Sequence, residues 1–77
     1  MVTHVIVTVI LDNNEFDMEF PVEVPIGDMK SVFVNAMKGK GIQVNQSFSF
    51  SYNGVTLRDD ESFGSLGIWN GSYILVI

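Results

Sequence analysis

Residues 51–77 read SYNGVTLRDDESFGSLGIWNGSYILVI and carry the strongest structural signal in the chain. The stretch contains two Asn-Gly pairs, Asn53-Gly54 and Asn70-Gly71. Asn-Gly is the preferred dipeptide where both central residues of a tight turn need positive φ. The first pair joins two short β-type runs. The second precedes an apolar run at residues 73–77, so the stretch predicts a hairpin, a polar bend and a closing strand.

The N-terminal residues predict an opening β-hairpin. Residues 3–11 are β-branched almost throughout, and Asp12-Asn13-Asn14 ends the run. Residues 15–23 then alternate apolar and acidic side chains, which indicates a strand with one buried face. Because proline cannot donate a ladder hydrogen bond, Pro21 places this second strand at a sheet edge.

The middle of the chain predicts one helix. Pro25 ends the extended run, because the residue before a proline avoids the helical region. Asp28 is the expected N-cap, and Gly39 or Gly41 the expected left-handed stop. The run Val32-Phe33-Val34, taken alone, would fit a strand equally well. Apolar residues at spacings of 3, 1, 3 and 1 nevertheless trace one helical face: Met29, Val32, Phe33, Ala36 and Met37.

Two further strands follow the helix. Phenylalanines and Tyr52 alternate with serines over residues 47–52, and residues 55–57 form a short fourth run. The order predicts an α+β fold of the β-grasp type in a single domain, residues 1–77. We expect a mixed sheet of four to five strands with one helix across one face and the final strand parallel to the first. The predicted core comprises Val5, Val7, Phe16, Met18, Val32, Ala36, Phe50, Leu57, Ile68 and Ile74.

Composition excludes several classes of partner. The formal net charge is −5, and the chain contains no cysteine. Nucleic-acid binding needs a basic face, whereas the four basic residues Lys30, Lys38, Lys40 and Arg58 are scattered. No apolar run approaches the roughly 20 residues of a membrane span. We therefore expect a cytoplasmic protein with no nucleic-acid partner and no direct membrane insertion.

No residue pattern predicts catalysis. His4 is the only histidine, and Asp59-Asp60-Glu61 lacks the spacing and distal glutamate of a calcium loop. The glycines form neither a phosphate-binding loop nor a dinucleotide fingerprint. The sequence therefore predicts a non-enzyme with no cofactor, no catalytic residues and no metal site.

The outer sheet face is the candidate interaction surface. If Val5, Val7 and Val9 point to the helix, alternate residues of the first strand point away, and the same holds for the last strand. Isolated exposed apolar residues need no explanation, but four large aliphatics on paired strands indicate a protein-binding surface. The predicted surface consists of Ile6, Ile10, Leu75 and Ile77, and self-association through it stays open. Its centre carries few charges, which predicts binding with little salt dependence.

The order of elements in residues 51–77 resembles the second half of ubiquitin. Ubiquitin uses the same sheet face for recognition, but its central isoleucine corresponds to Ser51 here and its histidine to Leu75. Residues 16–21, Val24-Pro25-Ile26 and the helix from Met29 resemble the YukD/EsaB family, the ubiquitin-like proteins encoded with type VII (WXG100) secretion systems. Related domains form the soluble N-terminal part of EccD membrane subunits.

The resemblance implies a non-conjugated ubiquitin-like adaptor or regulatory subunit of a type VII secretion system, which binds other secretion-system subunits. Two alternatives remain at this point. The chain could be a ubiquitin-like domain excised from a larger membrane-associated secretion protein. A conjugated modifier or sulfur carrier would need a C-terminal Gly-Gly, and the end at Ile77 counts against it unless the sequence is truncated.

Overall fold

The computed structural model describes residues 3–45 and 47–77. Met1, Val2 and Gln46, which the predicted domain includes, lie outside the described residues. The secondary-structure elements are β1 (His4–Leu11), β2 (Asn14–Pro21), α1 (Ile26–Gly39), β3 (Phe50–Tyr52), β4 (Val55–Thr56) and β5 (Tyr73–Val76). One helix and a five-stranded mixed sheet confirm the predicted β-grasp.

The sheet has the strand order β2-β1-β5-β3-β4. β1 is antiparallel to β2 and parallel to β5, so the last strand lies beside the first, as predicted. β2 is an edge strand and Pro21 is its last residue, which confirms the position expected for a proline. The two strands most distant in sequence thus occupy neighbouring, central positions.

The two Asn-Gly turns differ. Asn53 and Gly54 have φ of 51° and 79°, as expected for a hairpin turn with two left-handed residues. At the second pair only Gly71 has positive φ, at 86°, so the prediction that both residues are left-handed is wrong there. The side chain of Asn70 has another role: its Oδ1 accepts a hydrogen bond from the Ile6 N–H at 2.8 Å. The Gly71 N–H donates to the Ile6 carbonyl at 2.9 Å, so this turn extends the pairing of β1.

The helix begins earlier than the sequence predicts. Pro25 occupies the N-cap position without a side-chain cap, so the prediction of Asp28 as N-cap is wrong, and Asp28 lies in the first turn. The cause is long-range: the N–H groups of Ile26 and Gly27 donate to the carbonyls of Glu61 and Asp59, at 2.7 and 3.1 Å. These carbonyls satisfy donors that a capping side chain otherwise serves.

The helix ends as predicted. Gly41 has a φ of 75°. The N–H of Gly41 donates to Lys38, and that of Ile42 donates to Met37. This is the Schellman arrangement, which satisfies the last helical carbonyls. Ile42 consequently turns back and packs against the core.

The core lies between α1 and one face of the sheet. The helix contributes Ile26, Met29, Phe33 and Met37. Phe33 is fully buried, and its ring lies 5.6 Å from that of Phe48 and 5.5 Å from that of Phe50. The prediction that Val32 belongs to the core is wrong, because the buried stripe runs through Phe33 and leaves Val32 48% exposed. The predicted members Phe16, Met18 and Ala36 are partly buried, and the remaining six are buried.

Candidate protein-binding surface

Because α1 covers one side of the sheet, the side chains that point the other way form an open face. Strand alternation puts the even-numbered residues of β1 there, while Val5, Val7 and Val9 are buried. Register then assigns the matching residues of the other strands. The open face comprises Glu15, Asp17 and Glu19 on β2; His4, Ile6, Thr8 and Ile10 on β1; Tyr73 and Leu75 on β5; Ser51, which its neighbours bury, on β3; and Thr56 on β4.

Two of the predicted surface residues are direct neighbours. Ile10 pairs with Leu75 across the parallel strands, and Leu75 pairs with Ser51 on its other side. Directly paired side chains on adjacent strands contact one another. Leu75 is 43% exposed and Ile10 is half-buried, so they form one contiguous apolar area.

Ile77 extends this area. It lies two residues beyond Leu75, and its backbone N–H and C=O bond to Ser49, both at 2.9 Å. These bonds continue the sheet past the end of β5 and hold the Ile77 side chain, 60% exposed, on the same side as Leu75.

Ile6 lies farther from the other three. It is four residues from Ile10, which is about 13 Å along a strand. Thr8 and Tyr73 form the row between them. Ile6 is 50% and Tyr73 60% exposed. The predicted surface therefore omitted Tyr73, although the alternation in β5 puts it on the same side as Leu75. We call Ile6, Ile10, Tyr73, Leu75 and Ile77 the apolar stripe.

An acidic stripe runs beside the apolar one. Glu15, Asp17 and Glu19 pair with Ile10, Thr8 and Ile6 respectively. All three acids are exposed, and Asp17 accepts a hydrogen bond from the Thr8 hydroxyl at 2.8 Å. None of the five described strands contains a lysine or arginine. The open face is therefore apolar along its centre and negative along its β2 border.

The polar residues that could be considered for catalysis form hydrogen bonds or ion pairs with other side chains. His4 is exposed, and its Nδ1 lies 3.0 Å from the Thr3 hydroxyl. Asp59 forms an ion pair with Lys30 at 2.7 Å. Within residues 3–45 and 47–77, no group of three or more acidic or histidine side chains is arranged to hold a metal ion.

The bend after β4 is held together by its own acids. Asp60 pairs with the Arg58 guanidinium at 2.8 Å, and Glu61 accepts the Arg58 backbone N–H at 2.9 Å. The backbone carbonyls of Asp59 and Glu61 also accept hydrogen bonds from the first N–H groups of α1. This acidic run therefore organises the fold around the beginning of α1.

Trp69 is the largest exposed apolar side chain, at 69%. It lies outside the open face and lines a shallow crevice of about 170 Å³ with Val5, Val22, Gly64, Gly67 and Ile68. Trp69 is thus mostly exposed rather than packed against the final turn.

The described part of the chain contains no helix with both the length and the apolar character needed to cross a bilayer. No protein-family profile matches the chain, and neither does any curated protein.

Solved structures are similar to the chain across nearly its whole length. One is the ubiquitin-like domain of a protein from Arabidopsis thaliana, with a TM-score of 0.79 and 22% identity over 99% of this chain and 78% of that one. A second is the ubiquitin-like domain of the type VII secretion system protein EccD from Mycobacterium tuberculosis, with a TM-score of 0.71 and 19% identity over 99% of both chains.

A third is a chain of the ESX-5 inner membrane complex, with a TM-score of 0.77 and 14% identity over 99% of this chain and 21% of that one. At these identities the similarity establishes the fold alone. The protein has a ubiquitin-like β-grasp fold, and its structural neighbours include domains of type VII secretion proteins.

Proposed function

We propose that the protein is a non-conjugated ubiquitin-like adaptor or regulatory subunit of a type VII secretion system. It acts in the cytoplasm, without catalysis, by binding other subunits through the open face. The observation that carries this proposal is the apolar stripe, which lies uncovered across two central strands. The pattern that resembles the YukD/EsaB family supports the choice of system, as does the fold shared with an EccD domain.

The stripe has the chemistry of a reversible contact. Full burial of one aliphatic side chain contributes about 1.5–3 kcal/mol. Leu75, Ile77 and Ile6 are about half exposed, so a partner would remove much of their surface from water. Part of this gain is offset by the loss of translational and rotational freedom on association. The apolar surface that the partner itself buries adds to this gain, and the sum suits a weak, reversible contact.

The open face would also serve for binding if the sequence is one domain of a larger protein. The similar chain in the ESX-5 inner membrane complex is several times longer than the matched region, which is 21% of it. This length difference favours one alternative, in which the present sequence is a ubiquitin-like domain of a larger protein of this kind. In that case the open face binds a neighbouring subunit of the same assembly.

Replacing Leu75 with aspartate, or Ile6 with glutamate, is expected to weaken binding to the subunit by about 100-fold or more, because each change puts a charge into an apolar contact. The measurement is titration calorimetry against the soluble domains of the cognate secretion ATPase and membrane subunits. Val32→Asp is the matched control, because Val32 is an equally exposed aliphatic residue on α1. Equal loss from Val32→Asp, or no binding of wild type to any of these domains, would contradict the proposal.

The proposal contains no covalent step. Ubiquitin-type conjugation uses a Gly-Gly pair, and no such pair occurs among the 77 residues. We expect intact-mass analysis of the protein from its native cells to give a single unmodified species. An isopeptide adduct through the C-terminus would contradict this part of the proposal, while leaving the reversible contact to be judged by the Leu75 variant.

A further inference from the structure

We propose that the partner of the open face is a basic amphipathic helix, with an apolar edge that covers the apolar stripe and lysine or arginine side chains that face the acidic stripe. This inference rests on the proposed function and specifies the chemistry of the partner. It is carried by the juxtaposition of two stripes of different character on adjacent strands.

The arrangement fits the cross-section of a helix. The acidic stripe on β2 and the centre of the apolar stripe on β5 are two strand spacings apart, about 10 Å. An α-helix with its side chains is about 10–12 Å across. A helix lying along β1 and β5 can therefore bury its apolar edge against Leu75 while its flank reaches the carboxylates of β2.

The length of the stripe sets the length of the partner segment. From the row of Ile6 to the row of Ile77 there are three steps of two residues, or about 20 Å. At 1.5 Å per residue, about 13 helical residues cover that distance. The three acids are spaced along most of it, because Glu15 and Glu19 pair with Ile10 and Ile6.

Charge decides against the other occupants. A second copy of the chain carries the same net charge of −5 and the same acidic border, so face-to-face association brings like charges together. An anionic membrane is repelled for the same reason.

The acidic border also revises the expectation that binding depends little on salt, because that expectation considered only the centre of the surface.

The test uses three synthetic peptides of 18 residues. The first has a leucine edge and a lysine face, the second the same leucine edge with a glutamate face, and the third the composition of the first in a scrambled order. Binding is followed by two-dimensional NMR and by fluorescence anisotropy. We expect only the first peptide to bind and to shift the amides of β1 and β5. Binding of the glutamate peptide, or equal binding of the scrambled peptide, would overturn the inference.

Salt and charge variants separate the two stripes. The Debye length falls from about 10 Å at 0.1 M salt to about 3 Å at 1 M, and we expect affinity for the lysine peptide to fall about 10-fold over that range. The triple variant Glu15→Gln, Asp17→Asn, Glu19→Gln should bind about 10-fold more weakly at low salt and lose most of this dependence. A control triple variant, Glu23→Gln, Asp28→Asn, Asp60→Asn, has the same net charge as the first triple variant. It leaves the open face unchanged, so it should bind like the wild type.

Other outcomes identify what has failed. If Leu75→Asp abolishes binding to a secretion subunit while the β2 variant binds it normally, the proposed function holds and the basic partner is wrong. If neither variant changes that binding, the assignment of the open face as the binding surface is wrong. Sedimentation equilibrium of the protein alone should give a monomer, and a dimer lost in Leu75→Asp would identify a second copy as the occupant.

Discussion

Replacing Phe33 with alanine is expected to leave the protein at the limit of stability. Phe33 is fully buried, and its ring packs against the rings of Phe48 and Phe50. Truncation of a buried phenylalanine lowers the free energy of unfolding by about 3–5 kcal/mol, through lost burial and the cavity left behind. A domain of this size has roughly 5 kcal/mol in total. Urea unfolding followed by circular dichroism measures the loss.

The neighbouring residue provides the control for this prediction. Val32 lies on the same helix but is 48% exposed, so Val32→Ala should change the free energy of unfolding by about 0.5 kcal/mol or less. Alanine also has the higher helix propensity. A loss at Val32 as large as that at Phe33 would mean that the helix is rotated relative to the sheet, with Val32 in the core as the sequence pattern predicted.

Replacing Ile74 with aspartate is expected to prevent folding. Ile74 is fully buried and lies beside Val9 in the parallel pair. An uncompensated charge in such a position costs about 3–5 kcal/mol, and about 1.5–3 kcal/mol of apolar burial is lost as well. Together these come to about 4.5–8 kcal/mol, which is as large as or larger than the roughly 5 kcal/mol expected for the whole domain. Amide dispersion in NMR spectra, together with resistance to limited proteolysis, reports whether any native protein remains.

Leu75→Asp is the matched change one residue later. Leu75 points to the open face, so its replacement should cost about 1 kcal/mol, within the range of strand-propensity effects. The two variants carry the same charge on the same strand and differ only in the side of the sheet that they occupy. If Leu75→Asp also failed to fold, Leu75 would belong to a buried layer, and its role in partner binding would have to be abandoned.

Local patterns in the sequence predicted much of the fold. The Asn53-Gly54 turn and the left-handed stop at Gly41 depend on neighbouring residues, and both are confirmed. The alternation in residues 15–23 correctly predicts a strand, but β2 ends at Pro21, two residues earlier. The start of α1 was predicted wrongly because it depends on distant residues. The carbonyls of Asp59 and Glu61 receive its first N–H groups, and no pattern around Asp28 reveals them.

The candidate surface was predictable only in part, for a similar reason. Alternation within each strand indicates which side chains share a side of the sheet, and this placed Ile6 and Leu75 together. Register between strands 65 residues apart is not contained in such a pattern. The pairing of Thr8 with Tyr73 therefore became visible only in the structure, and it puts Tyr73 inside the stripe. The acids along the border come from the β1–β2 hairpin, which the sequence predicts, but the predicted surface considered only the first and last strands.

The parallel pairing of β1 and β5 has a mechanical consequence. Because the strands run in the same direction, the start of β1 and the end of β5 lie at opposite ends of the pair. Tension applied to those two points slides one strand along the other and loads the hydrogen bonds between them together rather than one at a time. The Asn70 carboxamide, bonded to the Ile6 N–H, adds one more bond to the set that must break. The domain is therefore expected to resist mechanical unfolding when a force pulls the start of β1 and the end of β5 apart.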